Sequence, residues 1–557
     1  MRLCQLVGGL PLALELAATW TRLLTVAEIV AEIQRSLDAL TPPLYDVAER
    51  HRSLRAVVES SWQMLTAEEK ALFRQLAVFR RGFTREAAQQ VVNATLPQLL
   101  SLIDRSFLRL DADQRFRRHP LLLQFSQEQL AAQPAEQTEA ETAHAHFFAH
   151  FIQAQEPGFK RGNTRETIAA VSADWENIRA AWDWALAQRD EALLAKMVTG
   201  VGRFLGDRGR PLAGTALFEE SLQVIRAQPV TDSRDQLMAK MQVELGHFWD
   251  QNGRLAEAEA ILNEANALCQ QQNLPQTRIN CLRVLGVVTD HQGRQDVALR
   301  YLEEAQALCQ TEGDVDQMLP ILNALGNSYV EKAEFEKADA CFSEAITLAE
   351  AMGNSLRVAI LQSNMAVIAN RQKNYEEAIR LWRLAQQGFI AHNYEIGLAN
   401  TTFNIAMARH GLEQYDEALV QIQEAYALLE KLGQRHGMAG GLGVMGMIAH
   451  KLGKRVKARR YLHDCLLLAQ DIGSDGIAIS GLSEIAELEI SGGNMKQAVF
   501  LFMFIARHPA TGGTTRKNAQ SMLAELTAEF PPEMIAEAET AVGAHTLDTL
   551  IALLVNE

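Results

Sequence analysis

Six side chains in the central part of the chain have the types and spacing expected of a binding surface. They share one predicted face of helices that recur along the chain: Arg283, Asn323, Asn327, Asn364, Asn370 and Asn404. Solvated helix faces usually carry Glu, Lys and Gln, because Asn is a poorer helix former. An Asn amide offers a donor and an acceptor, which suits the backbone of an extended peptide, and Arg283 adds a two-pronged grip on a carboxylate. The alternative is that these asparagines bond one another or water across adjacent helices.

No motif for covalent, nucleotide or metal chemistry accompanies these residues. A phosphate-binding loop needs GxxxxGK[ST] after an apolar strand, and residues 512–517 have Gly, Thr and Lys in the wrong order. A serine nucleophile elbow, HExxH and paired carboxylates are also missing. Of His144, His146 and His150, only the last two share a helical face, without a further ligand nearby. We therefore expect packing or surface histidines, no metal site and no enzyme.

The elements that position the six side chains repeat every 40 residues. Each repeat has an apolar residue followed by Gly or Ala, and the apolar residues are Leu245, Leu285, Leu325, Met365, Ile405, Met445 and Ile485. Thirteen residues later stands an alanine: Ala258, Ala298, Ala338, Ala378, Ala418, Ala458 and Ala498. Four residues further stands a bulky side chain: Leu262, Leu302, Phe342, Trp382, Ile422, Leu462 and Phe502. Such a period predicts paired helices stacked into a solenoid, with the small residue allowing close approach and the alanine filling the facing gap.

This pattern resembles the tetratricopeptide repeat, in a version longer than the 34-residue norm that is similar to the repeats of bacterial signalling ATPases of the maltose-activator type. Three further stretches, at residues 9–17 (GLPLALELA), 52–62 and 77–84, resemble the STAND/NB-ARC nucleotide-binding class. Residues 174–181 resemble the usual entry of that class into its repeats. The resemblance implies that Pro11 and His119 lie beside a bound nucleotide. We expect the chain to correspond to the part of that architecture that follows the phosphate-binding domain.

The predicted fold is mostly α: a right-handed solenoid of tetratricopeptide-like hairpins, preceded by a winged helix and a helical remnant. The predicted domains are a remnant of the ATPase module (1–48), a winged helix (49–132), a connector with an irregular repeat (133–232), seven repeats (233–508) and a helical cap (509–557). Thr66 and Glu69 form a predicted capping box. Strands are expected at 107–110 and 115–118, and a loop at 510–516.

Composition limits the partners. The net charge of −15 belongs to the helical array, since the first 150 residues are nearly neutral, so nucleic acid along the solenoid is not expected. Six cysteines without a CxxC pair and the lack of an apolar stretch of about 20 residues indicate a cytoplasmic protein with no membrane span.

The sequence therefore predicts a sensor or scaffold within a STAND-type signalling regulator, with a peptide or protein in the groove. One alternative is a DNA-binding transcriptional regulator that uses Arg115, Arg117 and Arg118 of the wing, although Asp111 and Asp113 balance them. Another is an ATPase completed by a phosphate-binding domain in cis or in trans. ADP or ATP is expected as a cofactor only if that domain is supplied.

Overall fold

The structure is a computed structural model that describes residues 25–28, 54–160, 164–527 and 531–556. Its first helices are α1 Leu54–Gln63, α2 Ala67–Gln75, α3 Arg85–Val92, α4 Leu96–Asp104, α5 Pro120–Ala131, α6 Pro134–Ala154, α7 Glu156–Lys160, α8 Thr164–Gln188, α9 Glu191–Asp207 and α10 Pro211–Arg226. Strands β1 Arg109–Leu110 and β2 Phe116–Arg117 lie between α4 and α5, and a short 3₁₀ turn, Leu76–Val78, follows α2. The stretch at residues 9–17, with Pro11, lies outside the described residues.

The repeats follow as paired helices. The first helices of the pairs are α11 Asp232–Gln251, α13 Pro275–His291, α15 Val315–Glu331, α17 Ser355–Arg371, α19 Glu395–Gly411, α21 Arg435–Lys451 and α23 Asp475–Ser491. Their second helices are α12 Leu255–Gln271, α14 Gln295–Glu312, α16 Phe335–Ala351, α18 Tyr375–Ala391, α20 Tyr415–Lys431, α22 Arg455–Asp471 and α24 Met495–Arg507. Three helices close the chain: α25 Gly513–Thr527, α26 Pro532–Gly543 and α27 Leu547–Asn556. The predicted α-solenoid is confirmed.

A small hairpin and the helices around it form the first part of the described chain. β1 and β2 pair antiparallel, with Arg109 opposite Arg117 and Leu110 opposite Phe116. The predicted capping box is present, because the Thr66 hydroxyl accepts the Glu69 backbone N–H and the Glu69 carboxylate accepts the Thr66 N–H at 2.8 Å. A strand pair therefore lies where the sequence predicts one.

Each repeat is held together by a small residue of its first helix that faces a large residue of its second. A Cβ placed on Gly326 would lie 2.4 Å from the Phe342 ring, and one on Gly446 would lie 2.6 Å from Leu462. The repeat alanines are fully buried, as predicted, but they do not fill this gap. The correction is that the bulky residue, one helical turn beyond the alanine, occupies it. In these repeats a residue larger than glycine would overlap the facing side chain and push the two helices apart, whereas three other repeats carry alanine at this position.

The connecting turns are as regular as the helices. A residue with left-handed backbone conformation stands at every twentieth position from Gly253 to Gly493. Most are glycines, but Ala333, Lys373 and Glu413 adopt the same conformation. Such a residue reverses the chain after a helix and lets the last carbonyls find backbone partners. Both halves of the 40-residue repeat therefore use one turn geometry.

The chain divides into two compact units, residues 1–313 and 314–557. In the second unit, Leu550 and Leu554 of α27 are buried in the same apolar cluster as Leu501 of α24. The predicted loop at 510–516 is wrong in part, because α25 already begins at Gly513 and Thr511 anchors the turn by donating to the Ile505 carbonyl at 2.6 Å. In the described residues no single helix is long and apolar enough to cross a membrane. One sharply bent pair of helices, Ile535–Gly543 and Leu547–Val555, reaches the length and apolar composition of a membrane span, by those two criteria alone.

Candidate binding face of the repeats

Four of the predicted asparagines lie on three successive first helices of the second unit. Asn323 and Asn327 belong to α15, Asn364 to α17 and Asn404 to α19; α17 packs against both α15 and α19. The Asn364 Nδ2 donates to Asn323 Oδ1 at 2.8 Å, so two of these side chains meet across adjacent helices. Asn404 holds the position of Asn364 one repeat later. We call Asn323, Asn327, Asn364 and Asn404 the asparagine face.

The asparagine face keeps hydrogen-bonding capacity after this internal contact. An amide has two N–H donors and one oxygen with two lone pairs, and the bond uses one donor of Asn364 and one lone pair of Asn323. Asn323, Asn364 and Asn404 are partly exposed, and Asn327 is exposed. One pair of asparagines therefore does bond across adjacent helices, as the alternative interpretation expected. Both side chains of that pair keep further donors and acceptors for a ligand.

The other two predicted residues stand apart from this face. Asn370 is partly exposed in the last turn of α17, nearly two turns beyond Asn364. Arg283 lies on α13, in the first unit, and its Nε and Nη2 point at the Asn280 Oδ1 at 3.2 and 2.7 Å. The guanidinium edge that was expected to grip a carboxylate thus holds a neighbouring amide of its own helix.

A polar group that the sequence analysis missed lies on α11 of the first unit. Glu244 packs its carboxylate against α9, where a Cβ on Gly202 would lie 2.3 Å from Glu244 Oε2. Burial raises the pKa of the Glu244 carboxyl to about 7, although Arg203 and Arg283 oppose the rise. Burial also lowers the pKa of His247 to about 4, and Arg283 acts in the same direction. Both side chains keep some exposed surface, but the surrounding helices remove most of their hydration.

The 40-residue spacing contains a signal for these two side chains. Glu244 holds in its repeat the position that Asn364 and Asn404 hold in theirs, and His247 holds the position of Asn327. Because these positions carry Glu and His in one repeat and Asn in later ones, a search for asparagine at them does not find the two titratable side chains.

The first unit also contains a buried polar cluster that joins the hairpin to α8. The Arg115 Nη1 lies 3.0 Å from Asp174 Oδ2, and its Nη2 donates to the Gly82 carbonyl at 3.2 Å. The Asn177 Nδ2 donates to the same carbonyl at 3.0 Å, while its Oδ1 accepts the Arg80 backbone N–H at 2.8 Å. Arg115 is therefore an internal residue and does not present its charge to solvent.

The other two arginines of the predicted wing are also engaged within the protein. The Arg117 Nε lies 2.5 Å from Asp111 Oδ2, and the Arg118 Nη2 donates to the Phe79 carbonyl at 2.7 Å. Burial lowers the pKa of Arg118 to about 9. A DNA-binding wing needs arginines free to reach phosphates, so the hairpin gives the DNA alternative no support.

The structure describes the predicted nucleotide-contact residue His119 and the three histidines of α6. The His119 Nδ1 accepts the Leu121 backbone N–H at 3.2 Å, so this ring caps α5. His146 and His150 do share one face of α6, with ring centroids 6.5 Å apart. Among the described residues, no group of three or more His, Cys, Asp or Glu side chains is placed to hold a metal ion.

Comparisons with known protein families agree with the repeat pattern. A tetratricopeptide-repeat family model matches residues 237–311 and 357–431, and a second one matches residues 319–352. These parts of the array are tetratricopeptide repeats.

Two curated relatives match shorter parts of the chain. A Mycobacterium tuberculosis protein named as a candidate HTH-type transcriptional regulator is 26% identical over 193 residues, which is 33% of this chain and 22% of the relative. An uncharacterized protein of the same species is 32% identical over 114 residues, 19% of this chain and 29% of the relative. The chain thus spans less than a third of the length of either relative.

A solved structure shares the fold over most of the chain. It is a signal transduction ATPase with numerous domains (STAND) that carries a tetratricopeptide-repeat sensor, from Pyrococcus horikoshii. The TM-score is 0.55 at 14% identity, covering 95% of this chain and 74% of the other. At that identity the likeness concerns the fold alone.

Proposed function

We propose that the repeat array is the sensor of a STAND-type signal-transduction regulator, and that it captures an extended peptide or protein segment on the asparagine face. The observation that carries the proposal is the row of amides on α15, α17 and α19, whose one internal bond joins Asn364 to Asn323. Asparagines are costly on a solvated helix, so a row of them on the first helices of successive repeats calls for a partner.

The chemistry of the row suits a peptide backbone. An extended segment presents a carbonyl and an N–H at alternating positions, and each asparagine can serve both. The pair that bridges α15 and α17 is already oriented by its own hydrogen bond, so little side-chain freedom is lost on binding. A neutral amide row also discriminates little by charge, which favours recognition of the ligand backbone over recognition of a charged side chain.

The names of the similar proteins support the regulator part of this proposal. The Pyrococcus protein combines a STAND ATPase with a repeat sensor, and the mycobacterial relative is named for transcriptional regulation. A transcriptional output agrees with the name of the mycobacterial relative. We do not assign DNA contact to the hairpin, because Arg115 and Arg118 are bound within the protein.

The proposal gives this chain no reaction and no cofactor of its own. Its sequence contains no GxxxxGK[ST] stretch to hold phosphates on backbone amides. Nucleotide chemistry therefore belongs to a phosphate-binding domain supplied in cis or in trans, and the sensor works in the cytoplasm.

Peptide selection tests the asparagine face directly. The immobilised chain is used to enrich binders from a displayed library of random linear peptides, and the enriched peptides are then titrated against the variant Asn323→Ala/Asn327→Ala. We expect binding to weaken at least about tenfold, because each lost amide bond contributes about 1 kcal/mol. Helicity and melting should stay close to those of the parent.

The matched control removes two exposed asparagines elsewhere, as Asn263→Ala/Asn518→Ala. The control should bind the enriched peptides as the parent does. Equal affinity of the parent and the Asn323→Ala/Asn327→Ala variant for every enriched peptide would show that the ligand lies on another surface.

A further inference from the structure

One helix of the second unit departs in charge from all its counterparts. Residues 454–460 carry five lysines and arginines and no acid, in a chain whose net charge is −15. They are Lys454, Arg455, Lys457, Arg459 and Arg460, at the start of α22. No other second helix of a repeat carries such a cluster.

The position of this cluster is electrostatically unfavourable for the helix itself. The N-terminus of a helix carries a partial positive charge, so acids stabilise it and cations oppose it. Five other second helices follow this rule with acids in their first turn: Glu257, Asp296, Glu336, Glu376 and Glu377, and Asp416 and Glu417. The first turn of α22 has none. A requirement other than helix stability therefore explains these cations.

Three of the five basic residues line a cleft. A cavity of about 630 Å³ opens beside α22, bordered by Arg455, Val456, Arg459, Arg460, His463 and Leu467. We call it the α22 cleft. Asp464 is the one acid among its lining residues, and Val555 of α27 also lines it. Cations and methyl groups thus share one concave surface.

Part of the charge is neutralised within the protein and part is left over. Arg459 forms an ion pair with Glu489, and the Arg455 Nη2 donates to the Leu488 carbonyl at 3.2 Å. Lys457 and Arg460 are exposed and form no ion pair with any residue that the structure describes. Two full charges therefore face solvent: Arg460 lines the cleft, and Lys457 lies about one helical turn before it on α22.

Apolar groups stand beside these charges. Val456 is 87% exposed and Leu467 is 46% exposed, and both line the α22 cleft. A solvated helix gains nothing from a valine at such a position, whereas a partner that covers it removes apolar surface from water.

We propose that the α22 cleft docks an acidic, amphipathic segment of a protein partner. Its carboxylates meet Arg460 and Lys457, and its apolar side chains cover Val456 and Leu467. Charge complementarity selects the partner and speeds the encounter, and burial of the apolar residues holds it. This surface lies on a second helix and is separate from the asparagine face on the first helices.

Two other occupants fit the cleft less well. A nucleic acid spreads its phosphates over a long footprint, and the remaining surface of this chain is strongly acidic and would repel it. It would also leave the methyl groups of Val456 and Leu467 without apolar partners. A second copy of the chain would also bring acidic residues to the cleft. Sedimentation of the chain alone distinguishes that case from binding of a different protein.

The test uses the whole chain and a defined probe: a fluorescent peptide of glutamates and leucines with helical spacing. Anisotropy is measured at low and at physiological ionic strength, beside a polyglutamate peptide of equal charge. We expect the Glu/Leu peptide to bind more tightly than polyglutamate. Arg460→Glu and Val456→Asp should each weaken its binding at least about tenfold.

A matched variant controls for general charge. Arg380 holds the position of Arg460 two repeats earlier, on α18, where it pairs with Glu377. Arg380→Glu makes the same change in net charge outside the cleft and should leave affinity unchanged. Melting should not fall for the cleft variants, because Val456 and Arg460 are both exposed and Val456→Asp adds an acid to the first turn of α22, where the helix dipole favours it.

Three results would overturn the proposal. The first is a negative peptide titration: either the Glu/Leu peptide does not bind at low salt, or Arg460→Glu and Arg380→Glu lose peptide affinity equally. The second is tighter binding of single-stranded DNA that Arg460→Glu abolishes, which would assign the cleft to nucleic acid. The third is self-association in sedimentation that Arg460→Glu abolishes, which would assign it to a second copy.

Discussion

At the scale of single residues, the strongest constraints are buried polar contacts between distant parts of the chain. Arg115 and Asp174 are 59 residues apart in sequence and meet in the interior with Asn177 beside them. A buried charge is tolerated only when it is paired and hydrogen-bonded. The pair therefore fixes the hairpin against α8 at one orientation, which an apolar contact alone would specify less sharply.

Removal of Asp174 should be among the most damaging single changes in the first unit. Asp174→Ala leaves the Arg115 guanidinium buried without its carboxylate, so we expect a loss of about 3–5 kcal/mol in the free energy of unfolding. Urea unfolding followed by tryptophan fluorescence measures the loss. Asp183→Ala removes an exposed pair with Arg179 and should cost less than about 1 kcal/mol. Similar losses for both variants would mean that the buried pair is not structural.

His144 gives the first unit a defined dependence on pH. The imidazole is buried beside the rings of Phe79 and Phe148, and burial lowers its pKa to about 4. The unfolded chain takes up this proton near its ordinary pKa of about 6.5, so the folded state loses stability as pH falls from there to about 4, and no further below. Asn177 holds the neutral ring, with His144 Nε2 3.4 Å from its Oδ1.

The expected size of this effect can be measured by difference. Between pH 7 and pH 5 the wild type should lose about 2 kcal/mol of unfolding free energy more than His144→Gln, which does not titrate. Both proteins are unfolded in urea at the two pH values. A parallel decline in both would assign the acid sensitivity to other groups, such as His247.

At the scale of elements, the repeat is a pairing between a small residue and a large one. Gly326 admits the Phe342 ring, and Gly446 admits Leu462, so each first helix lies close to its second helix. The two partners of such a contact lie 16 residues apart and recur every 40 residues. This regularity is why the hairpins could be predicted from the sequence.

Two glycine substitutions separate close packing from helix propensity. Gly326→Ala places a methyl group 2.4 Å from Phe342, so overpacking should cost roughly 1–3 kcal/mol. Gly440 lies in α21 with open space where an added methyl group would stand, so Gly440→Ala should instead stabilise the helix by about 0.5–1 kcal/mol. Thermal melting followed by circular dichroism measures whether each variant gains or loses stability. A gain in stability for both variants would contradict the assigned packing of α15 on α16.

Sequence could predict what is local and periodic, and it failed where a residue's partner is distant or irregular. The buried alanines and the turns follow from spacing alone, because each repeat packs mainly on its neighbours. Spacing could not reveal that Arg115 turns inward to Asp174, since nothing periodic links the two. It also misjudged the start of α25, where the Thr511 hydroxyl ends the preceding turn. On the candidate face, spacing put Asn323 and Asn364 on one helical face and left open whether such asparagines bond one another, but it did not indicate that Arg283 would hold Asn280.

At the scale of the whole molecule, stability is distributed along the array. Within each of the two compact units, a repeat packs on the repeat next to it, so the contacts that stabilise it come mainly from its neighbours. Damage to one repeat should therefore spread to its neighbours and fade with distance. Nearer the N-terminal side, Phe73, Phe79, Phe83 and Phe125 are fully buried in one apolar cluster that extends to Val288 of α13.

Hydrogen exchange can show this distribution. Ala378 is fully buried on α18, so Ala378→Trp should overpack that repeat and speed amide exchange in α17, α18 and α19. Exchange in residues 67–131 should not change. Arg380→Trp, two residues further on and exposed, controls for the added indole. Faster exchange throughout the protein would mean that the array unfolds as one cooperative block.

The left-handed residue at every twentieth position also bears on how such a chain changes its length. Removal of residues 355–394 would join Asn354 to Glu395, and the new junction would have the same turn and the same helix start as before. Unequal recombination between copies in the gene therefore adds or deletes whole repeats without creating a misfit. We therefore expect relatives whose repeat arrays differ from this one in length to differ by multiples of 40 residues.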